Sequence, residues 1–234
     1  MRAMILCAAA TLAATGGRAQ TAEPTPTPDA ARVWRGTVTY RVSFNGDTTG
    51  TDTAELRVDG GHFVAVDRMH LMGMARVAET RMALPALAPV ASTGTVEAGS
   101  QHGEVRLAYA GGRVRGIWAM PGTPAGDVDA EVPAGTFDFG GVATVIMAMP
   151  LRAGAVWTLP AYSPYVRGVS PYRVEVGAVE AVETPMGPVR AYPVRVTGGP
   201  AEMLFWFSEA EPRWEVKGQV PSMGVTIEAR SRTP

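Results

Sequence analysis

Apolar and polar residues alternate one by one along most of the chain, which is the pattern of strands with one buried face. In the first such stretch, residues 37–44, the apolar face consists of Val38, Tyr40, Val42 and Phe44. Comparable stretches occur at residues 54–58, 63–72, 75–82, 104–109, 113–118, 172–182, 188–196, 203–207 and 225–230. The pattern predicts a mainly β protein, built as a single curved antiparallel sheet or an open barrel-like domain.

Glycine-rich turns separate several of these stretches. Asn45-Gly46, Gly60-Gly61 and Gly111-Gly112 each follow a predicted strand. Asparagine and glycine tolerate the positive φ angles that tight hairpins require. Residues 184–187, Thr-Pro-Met-Gly, provide a further turn in the second half. These turns favour hairpin connections between consecutive strands.

One segment has a helical period instead. Its apolar positions recur at i, i+3, i+4 and i+7 and comprise Val142, Val145, Ile146 and Met149. Asp138 is placed to cap the start, and Pro150 marks the end. We expect one short helix packed by this stripe onto the sheet, with a buried strand as the alternative for so short an apolar run.

The N-terminus has the features of a secretory signal peptide. Residues 4–14 form an apolar run that is too short to span a bilayer. Gly17 and Ala19 occupy the −3 and −1 positions that signal peptidase reads, which predicts cleavage before Gln20. No other stretch has the length of a membrane-spanning helix. The sequence therefore predicts a periplasmic or otherwise extracytoplasmic protein, with no transmembrane span in the mature chain.

The predicted organisation is a signal peptide at 1–19, a Pro/Thr-rich linker at 20–32 and a single β-rich domain at 33–234. Pro24, Pro26 and Pro28 alternate with threonine in the linker, which excludes helix and sheet pairing there. The only cysteine, Cys7, lies in the apolar run, so the mature chain has no disulfide and no thiol nucleophile. A lipid anchor on Cys7 is the alternative, disfavoured because Leu6 precedes the cysteine.

The charge balance argues against a polyanionic partner. Without residues 1–19, the chain carries 19 basic and 22 acidic residues. Nucleic acids and anionic membrane surfaces bind basic patches, and none is present in the sequence. We therefore expect no nucleic-acid partner.

Three segments are similar to a known family. They are Phe-Asp-Phe at 137–139 followed by Met-Pro-Leu-Arg-Ala-Gly at 149–154, Tyr-Arg-Val-Ser-Phe at 40–44, and the Thr-Pro-Met-Gly turn at 184–187. Together they resemble a bacterial exported family, domain of unknown function 3108. The resemblance implies a curved antiparallel β protein without an established activity. It implies no catalytic residue.

A methionine-rich stretch at residues 69–74 is the candidate metal site. Thioether and imidazole groups suit Cu(I), and His70 and Met72 are the candidate ligands. Residues two apart on a strand are separated by about 6.6 Å, so these groups converge only if Gly73 kinks the strand. The alternative is that the methionines fill the core.

No catalytic constellation and no cofactor motif is recognisable. The chain has no Gly-x-Ser-x-Gly motif and no zinc-binding histidine spacing. Scattered carboxylates leave a hydrolase as an alternative, because sequence does not show which acids converge. Glu55, Asp67 and Glu79 are expected to face solvent. An enzyme is thus the less favoured reading.

Aromatic residues supply the candidate ligand-binding surface. The segment 161–172 is expected to be a long loop, and tyrosines provide large contact areas at low entropic cost. The alternative is that its tyrosines lie back on the sheet. A curved sheet is further expected to place Tyr40, Val42, Val64 and Val66 on its inner face, with Trp118 and Trp206. The candidate ligand-binding residues are Tyr162, Tyr165, Arg167, Tyr172, Trp118 and Trp206.

These features favour a non-catalytic envelope protein that binds an apolar small molecule or lipid. A structural or accessory module that binds another envelope protein is the first alternative, and a hydrolase with scattered carboxylates is the second. An enclosed apolar pocket would favour ligand binding, an exposed apolar patch would favour a protein partner, and acids converging in a cleft would favour an enzyme.

The export prediction is tested by N-terminal sequencing of the protein isolated from its native envelope. We expect the mature chain to begin at Gln20, because Gly17 and Ala19 precede the cleaved bond. A mature chain that begins at Met1, or at a lipidated Cys7, would contradict this prediction.

Overall fold

The structure, a computed structural model, describes residues 24–234. The predicted signal peptide, its cleavage site and Cys7 lie outside the described residues. In the described part, no helix has the length and apolar character needed to cross a membrane.

The first half of the chain forms eight consecutive strands joined by short turns. They are β1 (Gly36–Phe44), β2 (Asp47–Asp59), β3 (His62–Leu71), β4 (Met74–Ala83), β5 (Ala88–Ala98), β6 (Gln101–Ala110), β7 (Arg113–Ala119) and β8 (Gly126–Glu131). Each strand pairs antiparallel with the next.

The second half contains the helical segment and eight further strands. After β9 (Phe137–Asp138) come a 3₁₀ helix (Phe139–Gly141) and α1 (Val142–Met147). The remaining strands are β10 (Val156–Ser163), β11 (Gly168–Val176), β12 (Glu180–Val182), β13 (Val189–Thr197), β14 (Met203–Ser208), β15 (Glu215–Val220) and β16 (Val225–Thr233). Two more 3₁₀ turns lie at Ala30–Arg32 and Pro221–Met223.

All sixteen strands of residues 24–234 belong to one curved, open sheet, as the sequence predicts. The order is β8 through β1, then β16, β15, β14, β13, β11, β10 and β9, with β12 beside β13. The end strands β8 and β9 are not paired with each other in the described chain. Instead, Tyr162 of β10 packs against Leu107, Val114 and Val128 of β6, β7 and β8. The sheet therefore closes by face-to-face packing and not by a hydrogen-bonded seam.

The predicted helix is confirmed and lies inside the curled sheet. Val142, Val145, Ile146 and Met149 are all buried in the main core. Asp138 caps the preceding 3₁₀ helix, where its Oδ1 accepts a hydrogen bond from Gly140 N at 2.8 Å. The interior of the sheet is thus filled by the chain's own helical segment.

The long loop expected at 161–172 is a wrong prediction. Most of this segment belongs to the β10–β11 hairpin, in which Leu159 pairs with Tyr172 and Tyr162 with Val169. Only residues 164–167 lie outside the two strands. Pro171, which cannot donate to a sheet ladder, lies within β11 opposite Pro160 of β10.

Five strands escaped the sequence pattern, namely β5, β8, β9, β10 and β15. β5 is rich in alanine, threonine and glycine, and β8 carries acids at alternate positions, so neither has a strong apolar face. The stretch 172–182, expected as one strand, is interrupted between β11 and β12.

The inner and outer faces differ in part from expectation. Trp118 lies on the inner face, as expected. Val64 and Val66 lie instead on the outer face. Their partners on the neighbouring strands are charged, namely Arg57 and Arg81 for Val64 and Glu55 and Glu79 for Val66. Ion pairs between these charged neighbours cover the valines, so Val64 is buried on the side away from the helix. Trp206 is also on the outer face, where it pairs with Lys217.

The described part of the predicted linker lies against the domain. Thr25 Oγ1 donates a hydrogen bond to Thr158 O at 2.7 Å. Asp29 N donates to Ala148 O at 3.1 Å, and Ala30 N donates to Pro85 O at 3.0 Å. Contacts with the sheet and the helical segment therefore begin before residue 33.

We expect Ile146→Asp to lower the free energy of unfolding by roughly 3–5 kcal/mol, because it buries an unpaired charge beside the sheet. Ile146 has 0% exposure. Chemical denaturation measures the change. Val77→Asp, on the exposed outer face of β4, is the control and should shift stability by only about 0.5 kcal/mol. Equal effects of the two substitutions would show that the helix is not part of the core.

Candidate functional site

Two acids and an arginine from neighbouring strands converge on the inner face of the sheet. Asp52 of β2 pairs with Tyr40 of β1 and with Met69 of β3, and Met69 pairs with Arg76 of β4. Because paired residues share a face, Asp52 and Arg76 point the same way as Asp67, two residues before Met69. Arg76 Nη2 forms an ion pair with Asp67 Oδ1, and the Asp52 and Asp67 side chains are hydrogen-bonded.

A bulge in β15 adds a third acid to this group. Trp206 pairs with Lys217, whereas Phe207 pairs with Glu215, so Val216 is the extra residue and Glu215 turns inward. A Cβ on Gly218 would lie 2.5 Å from Glu215 Oε1. The glycine therefore provides the space in which this carboxyl group lies.

Asp67 and Glu215 of this group line a narrow pocket between the helical segment and strands β1–β4. The pocket has a volume of about 100 Å³. Its polar residues include Tyr40, Asp67 and Glu215. Its apolar walls include Val38, Ala54, Leu56, Ala65 and Ala78 from the strands, and Ala143 and Met147 from α1. The Asp67 and Arg76 side chains are each 33% exposed, so the ion pair between them reaches solvent.

The pocket raises the pKa values of its acids. Burial raises the pKa of Glu215 to about 8, and the nearby charges of Asp52 and Asp67 add to the effect. Burial and Asp67 raise the pKa of Asp52, while Arg76 opposes the shift. Burial, Glu215 and Asp52 also raise the pKa of the Tyr40 hydroxyl. Protons are therefore held on this group at pH values where exposed carboxyls are ionised.

Two carboxylate oxygens of the site make no hydrogen bond within residues 24–234. They are Oε1 of Glu215 and Oδ1 of Asp52, both shielded from solvent. Asp52 as a whole is only 4% exposed. Buried polar atoms are normally paired, so these two oxygens are exceptions, enclosed by protein and without a hydrogen-bond partner.

An aromatic group lies beside the pocket. The Tyr165 ring meets Trp118 and Phe139 edge to face, with centroid distances of 5.9 and 5.5 Å. The Arg167 guanidinium lies 5.9 Å from the Trp118 ring centroid. Tyr165 is 47% exposed and is near enough to Arg76 to influence the pKa of that guanidinium. The tip of the β10–β11 hairpin therefore stands next to the polar group.

The structure separates the six predicted ligand-binding residues. It brings Trp118, Tyr165 and Arg167 together, as described above. Tyr162 and Tyr172 are buried in core clusters. This agrees with the alternative interpretation, in which the tyrosines of this segment lie back on the sheet. Trp206 lies elsewhere, where its Nε1 donates to Glu180 Oε1 at 2.6 Å.

The structure places the predicted copper ligands His70 and Met72 beside one surface pocket at the β3–β4 turn. His70 lies at the exposed end of β3, and Met72 occupies the following turn with φ +50° and 66% exposure. In the range 24–234, no three histidine, cysteine or acidic side chains are grouped to hold a metal ion. The positive φ at Met72 turns the chain back into β4, and copper binding at this turn stays a prediction.

A second buried acid, Asp138, ties the helical segment to the sheet. Its Oδ2 accepts a hydrogen bond from the Tyr109 hydroxyl of β6, and Ser92 of β5 also bonds to it. Burial raises the pKa of this carboxyl against the effect of these donors. Gly140 permits the close approach, since a Cβ there would lie 2.9 Å from both Asp138 Oδ1 and Thr80 Oγ1. Asp138 thereby holds one wall of the pocket in place.

Asp67 corrects an expectation of the sequence. It was expected to face solvent, but it lies on the inner face with Phe63 and Ala65. Glu55 and Glu79 do lie on the outer face. The inward direction of Asp67 could be read from its two-residue spacing after Phe63 and Ala65, which are both apolar. Val64 and Val66 are also apolar, however, and they made the opposite face of β3 look like the core. The inward direction of Glu215 cannot be read from the sequence pattern, because a β-bulge determines it.

Comparison with known proteins agrees with this architecture. A family model described as "Protein of unknown function (DUF3108)" matches residues 39–229. The chain belongs to the DUF3108 family. This assignment confirms the resemblance found in the sequence, and the match spans the strands that carry Asp52, Asp67, Arg76 and Glu215. No curated protein matches the chain in sequence.

Two solved structures are similar to this DUF3108 protein. One is a beta-barrel-like protein of domain of unknown function DUF1849 from Brucella abortus, with a TM-score of 0.51 and 12% identity over 84% of this chain and 95% of that chain. The other is a predicted exported protein with a YmcC-like fold from Bacteroides fragilis, with a TM-score of 0.31 and 9% identity over 88% of this chain and 100% of that chain. The first likeness supports the fold.

We expect the stability of the DUF3108 protein to fall as the pH rises from about 5 to 8. The folded-state pKa of Glu215, about 8, lies above its unfolded value near 4.5. The folded protein therefore holds a proton that the unfolded chain releases, at up to about 1.4 kcal/mol per pH unit. Urea denaturation at several pH values measures the slope.

Glu215→Gln should reduce this slope, because it removes one titrating group, while Asp52, whose pKa is likewise raised to about 8, keeps its share. Glu97→Gln, on an exposed position of β5, should leave the slope unchanged. The same slope in the wild type and in Glu215→Gln would contradict the assignment of the proton to Glu215.

Proposed function

We propose that this protein is an exported, non-catalytic binding protein that takes a small molecule with an apolar body into the pocket between α1 and strands β1–β4. The observation that carries this proposal is the pocket itself. Its volume of about 100 Å³ is bounded mainly by alanine, valine, leucine and methionine side chains, together with the polar residues Tyr40, Asp67, Thr80, Thr144 and Glu215. Binding sites commonly combine an apolar lining with a few polar groups that orient the ligand.

The volume limits the part of the ligand that enters. An engineered cavity of about 150 Å³ accommodates benzene, which has six heavy atoms. By proportion, the pocket accepts a group of about four heavy atoms. A larger ligand would leave its remaining part outside, beside Asp67 and Arg76 and near the exposed ring of Tyr165. This supports a small apolar group as the buried portion.

A lipid fits this interior less well than a small molecule does. An acyl chain needs a long apolar channel, and the helical segment fills the remainder of the interior with Val145, Ile146 and Met149. Lipid binding would therefore require α1 to leave its place. That movement would break the hydrogen bonds of Asp138 and expose the main core.

The convergence of Asp52, Asp67 and Glu215 also raises the hydrolase alternative. A polymer-cleaving hydrolase needs two carboxyl groups that flank a scissile bond in an accessible cleft. Here Asp52 and Asp67 are hydrogen-bonded to each other, and Arg76 pairs with Asp67. The pocket beside them is smaller than a sugar ring requires. This geometry supports binding over bond cleavage.

Strand addition by another envelope protein has weaker support. The end strand β8 carries Asp127, Asp129 and Glu131, and Arg113 forms ion pairs with the last two. Charged side chains along an edge strand oppose pairing with a further strand. The edge of the sheet therefore offers a poor surface for a structural module.

Propan-1-ol, a neutral probe with four heavy atoms, tests the proposed function. We expect a Kd near 1 mM, equivalent to about −4 kcal/mol, with a shift of the Met147 methyl resonance. The methyl group of Met223, which is 60% exposed on the surface, is the internal reference and should not shift.

Ala78→Val should abolish propan-1-ol binding, because the added methyl groups fill the pocket without loss of stability. Ala75→Val, on the opposite face of β4, is the matched control. A fluorescent fatty acid, tested in parallel, should not bind. If neither probe binds in the pocket, the proposed function is wrong and a structural role is favoured. If the fatty acid binds, lipid binding is favoured instead.

A further inference from the structure

We propose that the tip of the β3–β4 hairpin is a surface site for a soft monovalent metal ion, Cu(I), and that His70 and Met72 are its ligands. The inference goes beyond the proposed function and does not depend on it, because neither residue lines the pocket beside α1. Its structural basis is that both residues border one surface pocket, together with the backbone conformation of Met72.

The turn between β3 and β4 brings the two donors to one place. Met72 and Gly73 have φ angles of +50° and +78°, and the chain reverses between them, so that His70 lies opposite Ala75. Residues two apart on a strand are separated by about 6.6 Å. An imidazole nitrogen and a thioether sulfur each extend further from the backbone than half of this separation. One ion at the end of β3 can therefore contact His70 and Met72 together.

The His70 imidazole is available to an ion. Its neighbours across the ladder are Thr51 of β2 and Ala75 of β4, which are too small to cover it. His70 is exposed, and its side chain has no hydrogen-bond or ion-pair partner among residues 24–234. The fold therefore does not use this side chain to hold the strands together.

Met72 occupies a backbone conformation that suits other residues. In the described chain, four hairpins have positive φ at both turn positions, namely Asn45-Gly46, Gly60-Gly61, Met72-Gly73 and Gly111-Gly112. Such turns favour asparagine or glycine at both positions, because a larger side chain is crowded at positive φ. Met72 is the exception among these four turns.

Packing does not account for Met72 either. Leu87 also has a positive φ, of +56°, but its side chain is fully buried, so the core explains its presence. Met72 is 66% exposed. A residue in a sparsely populated conformation that neither the turn nor the core requires points to a function of its side chain. The group that methionine supplies here, and that asparagine or glycine lacks, is the thioether.

Cu(I) is the ion that this donor set favours. Thioether and imidazole groups are soft, uncharged ligands, which suit Cu(I). Calcium takes six or more oxygen ligands, and zinc is held by three or four histidine, cysteine or carboxylate ligands. Within the described part of the chain, no three such side chains are grouped. Two soft donors at an exposed turn leave coordination positions open, so the site suits an ion that is taken up and passed on.

Ag(I), a redox-stable soft ion of the same charge, is the first probe, and Cu(I) supplied as its bicinchoninate complex is the second. Every sample carries Cys7→Ser, so that no thiol competes for the ion. At about pH 8, where an ordinary imidazole is neutral, we expect Ag(I) to shift the resonances of the Met72 methyl group and the His70 ring. The methyl group of Met223, which is 60% exposed, is the internal reference and should not shift. Cu(I) should be transferred to the same two side chains, and Zn(II) should bind more weakly than either ion.

Two variants assign the ion to this turn. Removal of even an outer-shell partner of a metal ligand commonly costs about tenfold or more in affinity. His70→Asn and Met72→Leu should therefore each weaken Ag(I) binding by at least that factor. His102→Asn and Met223→Leu are the matched controls, because each removes an exposed donor elsewhere on the surface. Both controls should bind Ag(I) as the wild type does.

Two further variants separate binding from folding and from the other face of the hairpin. Met72→Gly should abolish the binding and raise the midpoint of urea denaturation, because glycine adopts positive φ without crowding. Met74 borders the same pocket, but it pairs with Leu71 and so lies on the inner face, opposite to His70. Met74→Leu should therefore retain the binding.

The outcomes decide the inference without reference to the apolar pocket, which propan-1-ol tests separately. Ag(I) binding that survives in both His70→Asn and Met72→Leu would show adventitious binding at scattered surface donors and overturn the site. A loss in Met74→Leu as large as that in Met72→Leu would overturn the assignment of the ligand pair, and tighter binding of Zn(II) would overturn the choice of ion. Selective loss in His70→Asn, Met72→Leu and Met72→Gly, with both controls unchanged, would support the inference.

Discussion

A sheet that curls on itself must fill the space it encloses, and this constraint governs the molecule. Here the filling is a short segment of the same chain, the 3₁₀ turn and α1, inserted between β9 and β10. Six residues cannot sustain an isolated helix in water, so α1 owes its stability to the strands around it. The strands depend equally on the helix, because Phe63, Met82, Trp157 and Phe207 pack in the cluster that holds Ile146.

The anchoring of this segment explains why a pocket exists beside it. Asp138 binds Tyr109 and the backbone of Gly140, and so holds the 3₁₀ turn close to β4 and β6. The segment leans toward one side of the interior. On the other side the strands carry alanines, which are too short to reach it. The pocket is the space between a fixed helix and a wall of small side chains.

Sequence periodicity identified the fold because the dominant signal comes from regular strands. The stripe of Val142, Val145 and Ile146 identified the helix for the same reason. The periodicity failed where side chains on both faces are apolar, as at Phe63 and Val64. There the buried outer valines concealed the inward direction of Asp67. Glu215 depends on a bulge and on the space above Gly218, neither of which leaves a periodic trace. The acids of β2, β3 and β15 converge because of the register in which these strands pair, and a single sequence does not show that register.

The pairing of β1 with β16 has a consequence for how the molecule is assembled. Residues 36–44 are hydrogen-bonded to residues 225–233, so β1 gains this partner only after β16 has been synthesised. β16 also pairs with β15 and is the strand through which the two halves of the sheet are joined in the described chain. Contacts so distant in sequence form slowly, because a long loop must close before they are gained. A nascent chain that lacks residues 225–233 therefore presents two unpaired edges, on β1 and on β15, and the sheet becomes continuous only once β16 has been added.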